Sequence, residues 1–160
     1  YTIHTDLHTN TAYSSLATQI TKIFPIALNT FIIPTIYGRF IFNDGIPFMY
    51  SNVIGGEGYN PHYEQQIPFS GLPHTESTLK LLGNARIQIR HKFHGKQYLT
   101  LSGNYAIHQN QFSNFLQGKK IYGTSIGYGY DSPLGPIEGF ICYSNRTNKL
   151  GFYLNIGFGF

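Results

Sequence analysis

The sequence contains few charged residues, one Cys and no Trp. Charged side chains make up 11% of its 160 residues, whereas soluble domains carry about 25%. The single Cys142 excludes an intrachain disulfide and a cysteine-based zinc site. The 11 basic and 7 acidic residues give a net charge of +4, and no basic run is long enough to indicate nucleic-acid binding. Aromatic residues reach 16%, which excludes a disordered chain. The length of 160 residues is about that of one domain.

The sequence also lacks a long apolar run. A membrane-spanning helix needs about 20 mostly apolar residues, and the best stretch, residues 23–42, is interrupted by Pro25, Asn29, Pro34 and Arg39. Proline breaks helices, and the Ile, Phe, Thr and Tyr of this stretch favour strands. We therefore exclude a transmembrane helix. Because the sequence begins with Tyr rather than Met, we expect a processed product or a fragment.

What the sequence does contain is apolar–polar alternation with a period of two, which is typical of strands. The clearest case is the C-terminal segment, where every second residue is apolar and the residues between them are Gly, Tyr and Asn. Its apolar residues are Leu150, Phe152, Leu154, Ile156, Phe158 and Phe160. Counting the weaker cases, about eight strands are predicted, in segments 1–7, 16–23, 31–42, 84–92, 98–108, 121–130, 137–143 and 150–160.

Two all-β folds share this alternation: a soluble antiparallel sandwich with one solvent-exposed face, and a membrane barrel. The apolar faces are rich in Tyr and Phe, as membrane interfaces require, and the polar faces are mostly uncharged Gly, Ser, Thr and Asn. A solvent-facing sheet carries many more Lys and Glu. The pattern therefore predicts an all-β, antiparallel transmembrane β-barrel of about eight strands.

The predicted connections differ in length between the two ends of the barrel. Segments 43–78, 109–120 and 144–148 fall at one end, and the short turns 25–29, 94–96 and 131–136 fall at the other. Outer-membrane barrels have short periplasmic turns and longer extracellular loops, so we expect Phe160 at the periplasmic side. Segment 43–78 is too long for a passive link, and we expect it to be functional or folded into the lumen.

Four charged residues interrupt the predicted strands: Arg39, Arg86, Arg90 and Glu138. An Arg facing lipid costs about 2–4 kcal/mol at the bilayer midplane, so we place all four in the lumen. Buried charges are usually paired, and Glu138 would compensate at least one Arg. The set predicts a lumen charge network that holds strands and the long loop together; the alternative is a polar conduit.

Catalytic and metal-binding signals are weak. Ser125 lies in a Gly-x-Ser-x-Gly motif, but a nucleophile elbow needs a sharp strand-to-helix turn, and the motif lies inside an alternating strand. His4, Asp6 and His8 share one face of a predicted strand, and the remaining His residues are scattered. We predict no catalytic residue in this segment, no metal and no cofactor, with a lipid hydrolase built on Ser125 as an alternative.

Several motifs resemble a known family. Residues 125–138 (SIGYGYDSPLGPIE), 143–146 (YSNR) and 151–160 (GFYLNIGFGF) resemble the end of outer-membrane surface-antigen barrels, the superfamily of barrel-assembly and two-partner-secretion proteins. Residues 52–56 (NVIGG) and 65–71 (QQIPFSG) resemble more closely the C-terminal barrel of patatin-like phospholipases from Bacteroidetes-type bacteria. The long-loop motif residues are Gly55, Gly56, Gln65, Gln66, Pro68, Phe69 and Gly71.

The resemblance implies that residues 1–160 are an outer-membrane β-barrel domain or the C-terminal half of a sixteen-stranded barrel. It also implies a lumen loop carrying an Arg-Gly motif, whereas the matching residues 68–71 have Ser before the Gly, which puts a transport role in doubt. The terminal strand of the family is its assembly signal. Here the matching residues are Phe152, Leu154, Ile156, Phe158 and Phe160.

The function that follows as an expectation is a bacterial outer-membrane anchor or translocation unit for an N-terminal patatin-like lipid acyl hydrolase domain that lies outside this chain. The expected partners are outer-membrane lipid, the barrel-assembly machinery during insertion, and the hydrolase domain or missing barrel strands; nucleic acid is not expected. The alternatives are a self-contained eight-stranded barrel with a structural or adhesion role and the Ser125 hydrolase.

Overall fold

The computed structural model describes residues 2–6, 11–42, 46–58, 65–93 and 95–157, of which 68% are in strands. The strands are β1 (Thr2–Asp6), β2 (Thr11–Thr21), β3 (Phe24–Ala27), β4 (Thr30–Ile41), β5 (Val53–Ile54), β6 (Gln66–Ile67), β7 (Glu76–Ser77), β8 (Leu81–Phe93), β9 (Gln97–Gln109), β10 (Lys119–Ser132), β11 (Gly135–Ser144) and β12 (Lys149–Ile156). Two short 3-10 helices cover Phe48–Tyr50 and Phe112–Gln117. No helix within the described ranges is both long and apolar enough to span a membrane.

The main sheet is antiparallel, in the order β1-β2-β4-β8-β9-β10-β11-β12, with each strand beside its successor in the chain once the short elements are set aside. The register is regular: Ile126 of β10 lies opposite Leu101 of β9 and Ile141 of β11. A second, small sheet of order β6-β5-β7 forms within segment 43–78. The predicted all-β antiparallel fold class is therefore confirmed.

Alternation along the long strands gives the main sheet two different faces, which we call the outer and inner faces. The outer face consists of apolar and aromatic side chains that remain exposed: Phe152 is 72% exposed and Ile156 69%. A sandwich would bury these side chains against a second layer, and nothing in the described ranges covers them. Within the described ranges this face is therefore that of a membrane-facing sheet, not the inner face of a sandwich.

The inner face carries polar residues and many Gly, and aromatic rings from neighbouring strands fill the space above those Gly. A Cβ at Gly127 would lie 2.1 Å from the Phe140 ring, and one at Gly129 would lie 2.3 Å from the Tyr98 ring. The Gly-rich polar pattern of β10 therefore has a packing cause, since Gly127 and Gly129 each leave room for a ring.

One detail differs from the expected strand plan, and two further points concern the extent of the sheet. Segment 24–27, which overlaps the predicted turn 25–29, is a short ninth strand of the main sheet, because Phe24 and Pro25 pair with β4 before the chain turns at Asn29, which has a φ of 67°. The described strands do not close: β1 and β12 are the two edges of the sheet, so the closed eight-stranded barrel is not seen in these ranges. Phe158 and Phe160 lie outside the described residues.

Segment 43–78, where it is described, packs on the inner face near the end of the sheet that carries the long connections, which we call the loop end. The contact is an apolar core in which residues of the segment meet inward-facing residues of β4, β8, β9 and β10. The segment contributes Ile54, Ile67, Phe69 and Leu72, and the sheet contributes Tyr37, Leu82, Ala106 and Ile121. This core holds the polar residues of the segment against the sheet.

Candidate functional site: the docked segment

A buried ion pair joins the segment to the sheet. Arg86, on the inner face of β8, donates from Nη2 to Glu57 Oε2 at 3.1 Å and to the Glu57 backbone oxygen at 3.2 Å. The two side chains are only 7% and 1% exposed. Removing one partner of such a pair leaves an uncompensated buried charge, which costs about 3–5 kcal/mol. The pair therefore fixes the position of the segment strongly.

Ser70 extends this contact to two more strands. Its Oγ lies 3.1 Å from Glu57 Oε2 and 3.1 Å from the Oγ of Ser125 on β10, and it accepts from Asn104 Nδ2 on β9 at 2.9 Å. All of these groups are buried. Polar atoms of the segment, β8, β9 and β10 thus form one network, which we call the docking network: Glu57, Ser70, Arg86, Asn104 and Ser125.

Burial changes the acid–base behaviour of the segment's carboxyl group. Loss of hydration raises the pKa of Glu57 above its ordinary value, although Arg86 and the hydroxyl of Ser70 act in the opposite direction. One carboxyl oxygen, Oε1, has no hydrogen-bond partner among the described residues. The protonated form is therefore tolerated at this position better than in water.

Close backbone contacts at two glycines bring the segment onto the strands. Gly71 has a φ of +79°, and a Cβ there would lie 2.3 Å from the backbone carbon of Tyr143 on β11. A Cβ at Gly123 of β10 would lie 2.1 Å from the backbone oxygen of Ser70. Both distances are too short for any other residue, so the contact requires Gly on the segment and Gly on the strand.

Arg39 anchors the beginning of the segment. From the inner face of β4 it donates to the backbone oxygens of Tyr50 and Ser51, each at 3.2 Å, and to Asn52 Oδ1 at 3.4 Å. The Asn52 amide in turn donates to the oxygens of Leu79 and Lys80 at 2.8 Å. Arg39 thus supplies hydrogen bonds to backbone oxygens of an irregular part of the chain. The several N–H donors of a guanidinium group allow it to bind more than one oxygen at once.

The end of the segment is tied to the β11–β12 hairpin. Arg146 pairs with Glu76 at 2.7 Å, and Thr147 Oγ1 donates to the Gly71 oxygen at 3.2 Å. The His74 ring lies 5.1 Å from the ring of Tyr153 on β12. Between the segment and β12 a cavity of about 370 Å³ remains.

Arg90 and Glu138 form a separate cluster, nearer the short-turn end of the inner face. Arg90 Nη2 lies 3.4 Å from Glu138 Oε1, which also accepts from the Tyr98 hydroxyl at 2.9 Å. Asn155 of β12 donates to the other carboxyl oxygen at 3.3 Å. The four charged residues expected to form one network are thus divided among three contacts: Arg39 with backbone oxygens, Arg86 with Glu57, and Arg90 with Glu138.

The motif residues of segment 43–78 shape and bury the segment. Gln66 donates from its amide to the oxygens of Gly55 and Gly58, which holds the turn that carries Glu57. Gly55 and Gly56 have φ values of 142° and 68° in that turn. Phe69 is fully buried and Pro68 lies beside it, while Gln65 precedes β6 at a half-buried turn position.

Ser125 lies in the middle of β10 and is engaged with Ser70. The strand continues to Ser132, so the sharp strand-to-helix turn of a nucleophile elbow is not there. His108, also on the inner face, accepts through Nδ1 from the backbone amide of Leu79 at 3.2 Å. A Ser–His pair for catalysis is not seen within the described ranges, nor is a group of three His, Cys, Asp or Glu that could hold a metal ion.

Sequence reasoning missed Glu57, Ser70 and Asn104. Glu57 follows the Gly-Gly of the long-loop motif, and that position in a loop expected to enter the lumen is the signal that could have marked it as a partner for a buried Arg. No signal in the sequence distinguishes Asn104 and Ser70 from the many other small polar residues of the chain.

Comparison with known proteins gives the broader identity. A family model described as the OMP85 superfamily matches residues 1–160. No curated protein matches the chain. Proteins of this superfamily are outer-membrane barrels in bacteria, and their barrel domains are generally not enzymes. With an exposed apolar outer face and a match along residues 1–160, the chain belongs to the OMP85 superfamily.

Proposed function

We propose that the chain is part of an outer-membrane β-barrel that acts as a membrane anchor, with segment 43–78 closing its lumen. The docking network is the observation that carries this proposal. To empty the lumen, the ion pair between Glu57 and Arg86 would have to be separated and the apolar core around Phe69 exposed. A lumen filled in this way suits an anchor better than an open conduit.

The proposal includes further strands that complete the barrel. β1 and β12 are edges of the sheet, and each unpaired backbone group in hydrocarbon costs several kcal/mol. Strands on the N-terminal side of residue 1 would pair with these edges, so that residues 1–160 form the C-terminal half of a sixteen-stranded barrel. Insertion would use the barrel-assembly machinery, which would recognise the apolar positions of the last strand.

The anchored domain is a patatin-like lipid acyl hydrolase in this proposal. Its support is the similarity of residues 52–56 and 65–71 to the barrels of such phospholipases. Translocation is disfavoured because Ser70 stands where the superfamily motif has Arg, and here the cation of the docking network comes from the sheet, as Arg86.

The test uses the full-length protein expressed in a Gram-negative host. We expect it in the outer-membrane fraction, with gel mobility that changes on heating and no large steady conductance in planar bilayers. A fluorophosphonate probe should label a Ser outside residues 1–160, equally in the wild type and in Ser125→Ala. Labelling that disappears in Ser125→Ala would support the barrel hydrolase instead, and a protein that remains soluble without detergent would refute the anchor.

A further inference from the structure

The outer face carries a shallow apolar depression near the loop end. Its volume is about 490 Å³. It arises because the outward positions of four neighbouring strands are small or short there, with Gly103 at the centre. Its outward-facing lining includes Pro34, Ala85, Gly103, Tyr105, Tyr122 and Thr124.

Two Tyr side chains form the wall of the depression on the side of the loop end. Tyr105 and Tyr122 are paired across β9 and β10, and both are exposed. Tyr is enriched where a barrel meets the headgroup region, because its ring is apolar and its hydroxyl is polar. The pair therefore marks the level of the interface, and Gly103 and Thr124, one outward position farther along each strand, lie just below it in the hydrocarbon.

A basic residue lies directly above this wall. Lys120 is exposed and points outward on β10, two residues from Tyr122, which is about 7 Å along a strand. The ion pairs of the described residues join Arg86 to Glu57, Arg90 to Glu138 and Arg146 to Glu76, and none of them includes Lys120. Its charge is available to an anion at the headgroup level.

From these positions we propose that the depression is a binding site for one phosphate-bearing membrane lipid, with an acyl chain lying over Gly103 and the phosphate at Lys120. This inference rests on the proposed membrane function. The apolar lining fits a hydrocarbon chain, the Tyr hydroxyls can donate to ester or phosphate oxygens, and Lys120 supplies the complementary charge. One Lys near an anionic headgroup contributes about a fivefold preference over a zwitterionic lipid at low salt.

Quenching of a Trp reporter tests the site. The chain contains no Trp, so Tyr122→Trp places a fluorophore on the wall of the depression; any Trp outside this chain is first replaced by Phe. The full-length protein is reconstituted in vesicles of phosphatidylcholine mixed with phosphatidylglycerol, with bromine on the acyl chains of one lipid or the other. We expect brominated phosphatidylglycerol to bind at the reporter about fivefold more strongly than brominated phosphatidylcholine.

Two substitutions in the reporter background, each with a matched control, test whether the preference for phosphatidylglycerol comes from the depression and Lys120. Lys120→Gln should reduce it to near one, whereas Lys22→Gln, at the opposite end of the sheet, should leave it unchanged. Gly103→Leu should fill the depression and displace the chain, because a Cβ there lies 3.7 Å from the nearest atom and meets no clash. Gly139→Leu makes the same change elsewhere on the outer face, again with its nearest contact at 3.7 Å, and should have no effect.

The outcomes separate this inference from the proposed function. Equal quenching by both brominated lipids would leave the chain in a membrane but overturn the site. A preference that persists in both Lys120→Gln and Gly103→Leu would also overturn it, and would assign the selectivity to the membrane surface as a whole. No quenching by either lipid would overturn both the site and the membrane function.

Discussion

Replacing Glu57 by Ala should release segment 43–78 from the inner face of the sheet. The substitution leaves the Arg86 guanidinium buried beside Ser70 without its carboxylate. Loss of one partner of a buried pair costs about 3–5 kcal/mol. Because the pair joins the segment to β8, we expect most of this cost to fall on docking, so that the undocked population increases at least ~100-fold.

Limited chymotrypsin digestion measures this population. Phe69 is 0% exposed when the segment is docked, so cleavage after it requires undocking. When the segment opens and closes faster than the protease cuts, the cleavage rate follows the undocked population. The full-length protein in detergent should therefore be cut after Phe69 at least ~100-fold faster as Glu57→Ala than as wild type.

Two further variants identify the cause. Glu57→Gln keeps an acceptor for Arg86 and Ser70 and removes a charge that burial disfavours, so it should accelerate cleavage much less. The double variant Glu57→Leu with Arg86→Met replaces the pair by apolar groups, which is often neutral or stabilising, and should return the rate close to wild type. If Glu57→Ala is cut no faster than wild type, the ion pair does not hold the segment and the reasoning is wrong.

Three other predictions concern backbone contact, membrane exposure and pH. Gly71→Ala should undock the segment, because its Cβ would lie 2.3 Å from the β11 backbone. The control Gly95→Ala also has a positive φ, of +66°, but no atom within 4 Å, so it should add only about 1–2 kcal/mol of local backbone strain. The same chymotrypsin digestion compares the two variants. Phe152→Arg, on the exposed outer face, should cost about 2–4 kcal/mol if it lies at midplane depth, and reduce the heat-modifiable folded fraction on gels. Asn155→Arg should cost less, because this position faces the inside and the new cation can pair with Glu138 in place of the amide hydrogen bond. An equal loss in both variants would contradict the assignment of faces. The pKa of Glu57 is higher in the folded protein than in the unfolded chain. Docking should therefore strengthen as the pH falls through the pKa of the folded protein. The gain should level off below the pKa of the unfolded chain, which is about 4.3. Hydrogen exchange of residues 65–72, corrected for intrinsic rates, should show this gain as the pH is lowered toward about 4.3 in wild type and not in Glu57→Gln.

The alternation along the chain was sufficient to predict the sheet. An antiparallel strand places successive side chains on opposite faces, so the pattern from Leu150 to Ile156 specifies both the strand and the face that remains exposed. Arg39, Arg86, Arg90 and Glu138 were assigned to the inner face for a second reason, the cost of about 2–4 kcal/mol for an Arg that faces lipid. The short strand Phe24–Ala27 was missed because Pro25 and the turn at Asn29 favour a loop locally, and pairing with β4 is a contact between segments.

The docking network depended on tertiary structure. Glu57 meets Arg86, 29 positions away, and Ser70 meets Ser125, 55 positions away. Period and composition carry no information about such pairs, because contacts between a loop and a sheet depend on where the strands leave space. The sequence alone determined the strands and their two faces, because alternation is a local property. The tertiary structure decided which polar residues pair with one another. These pairs depend on the path of the segment across the inner face, where Gly71 and Gly123 allow the backbones to approach.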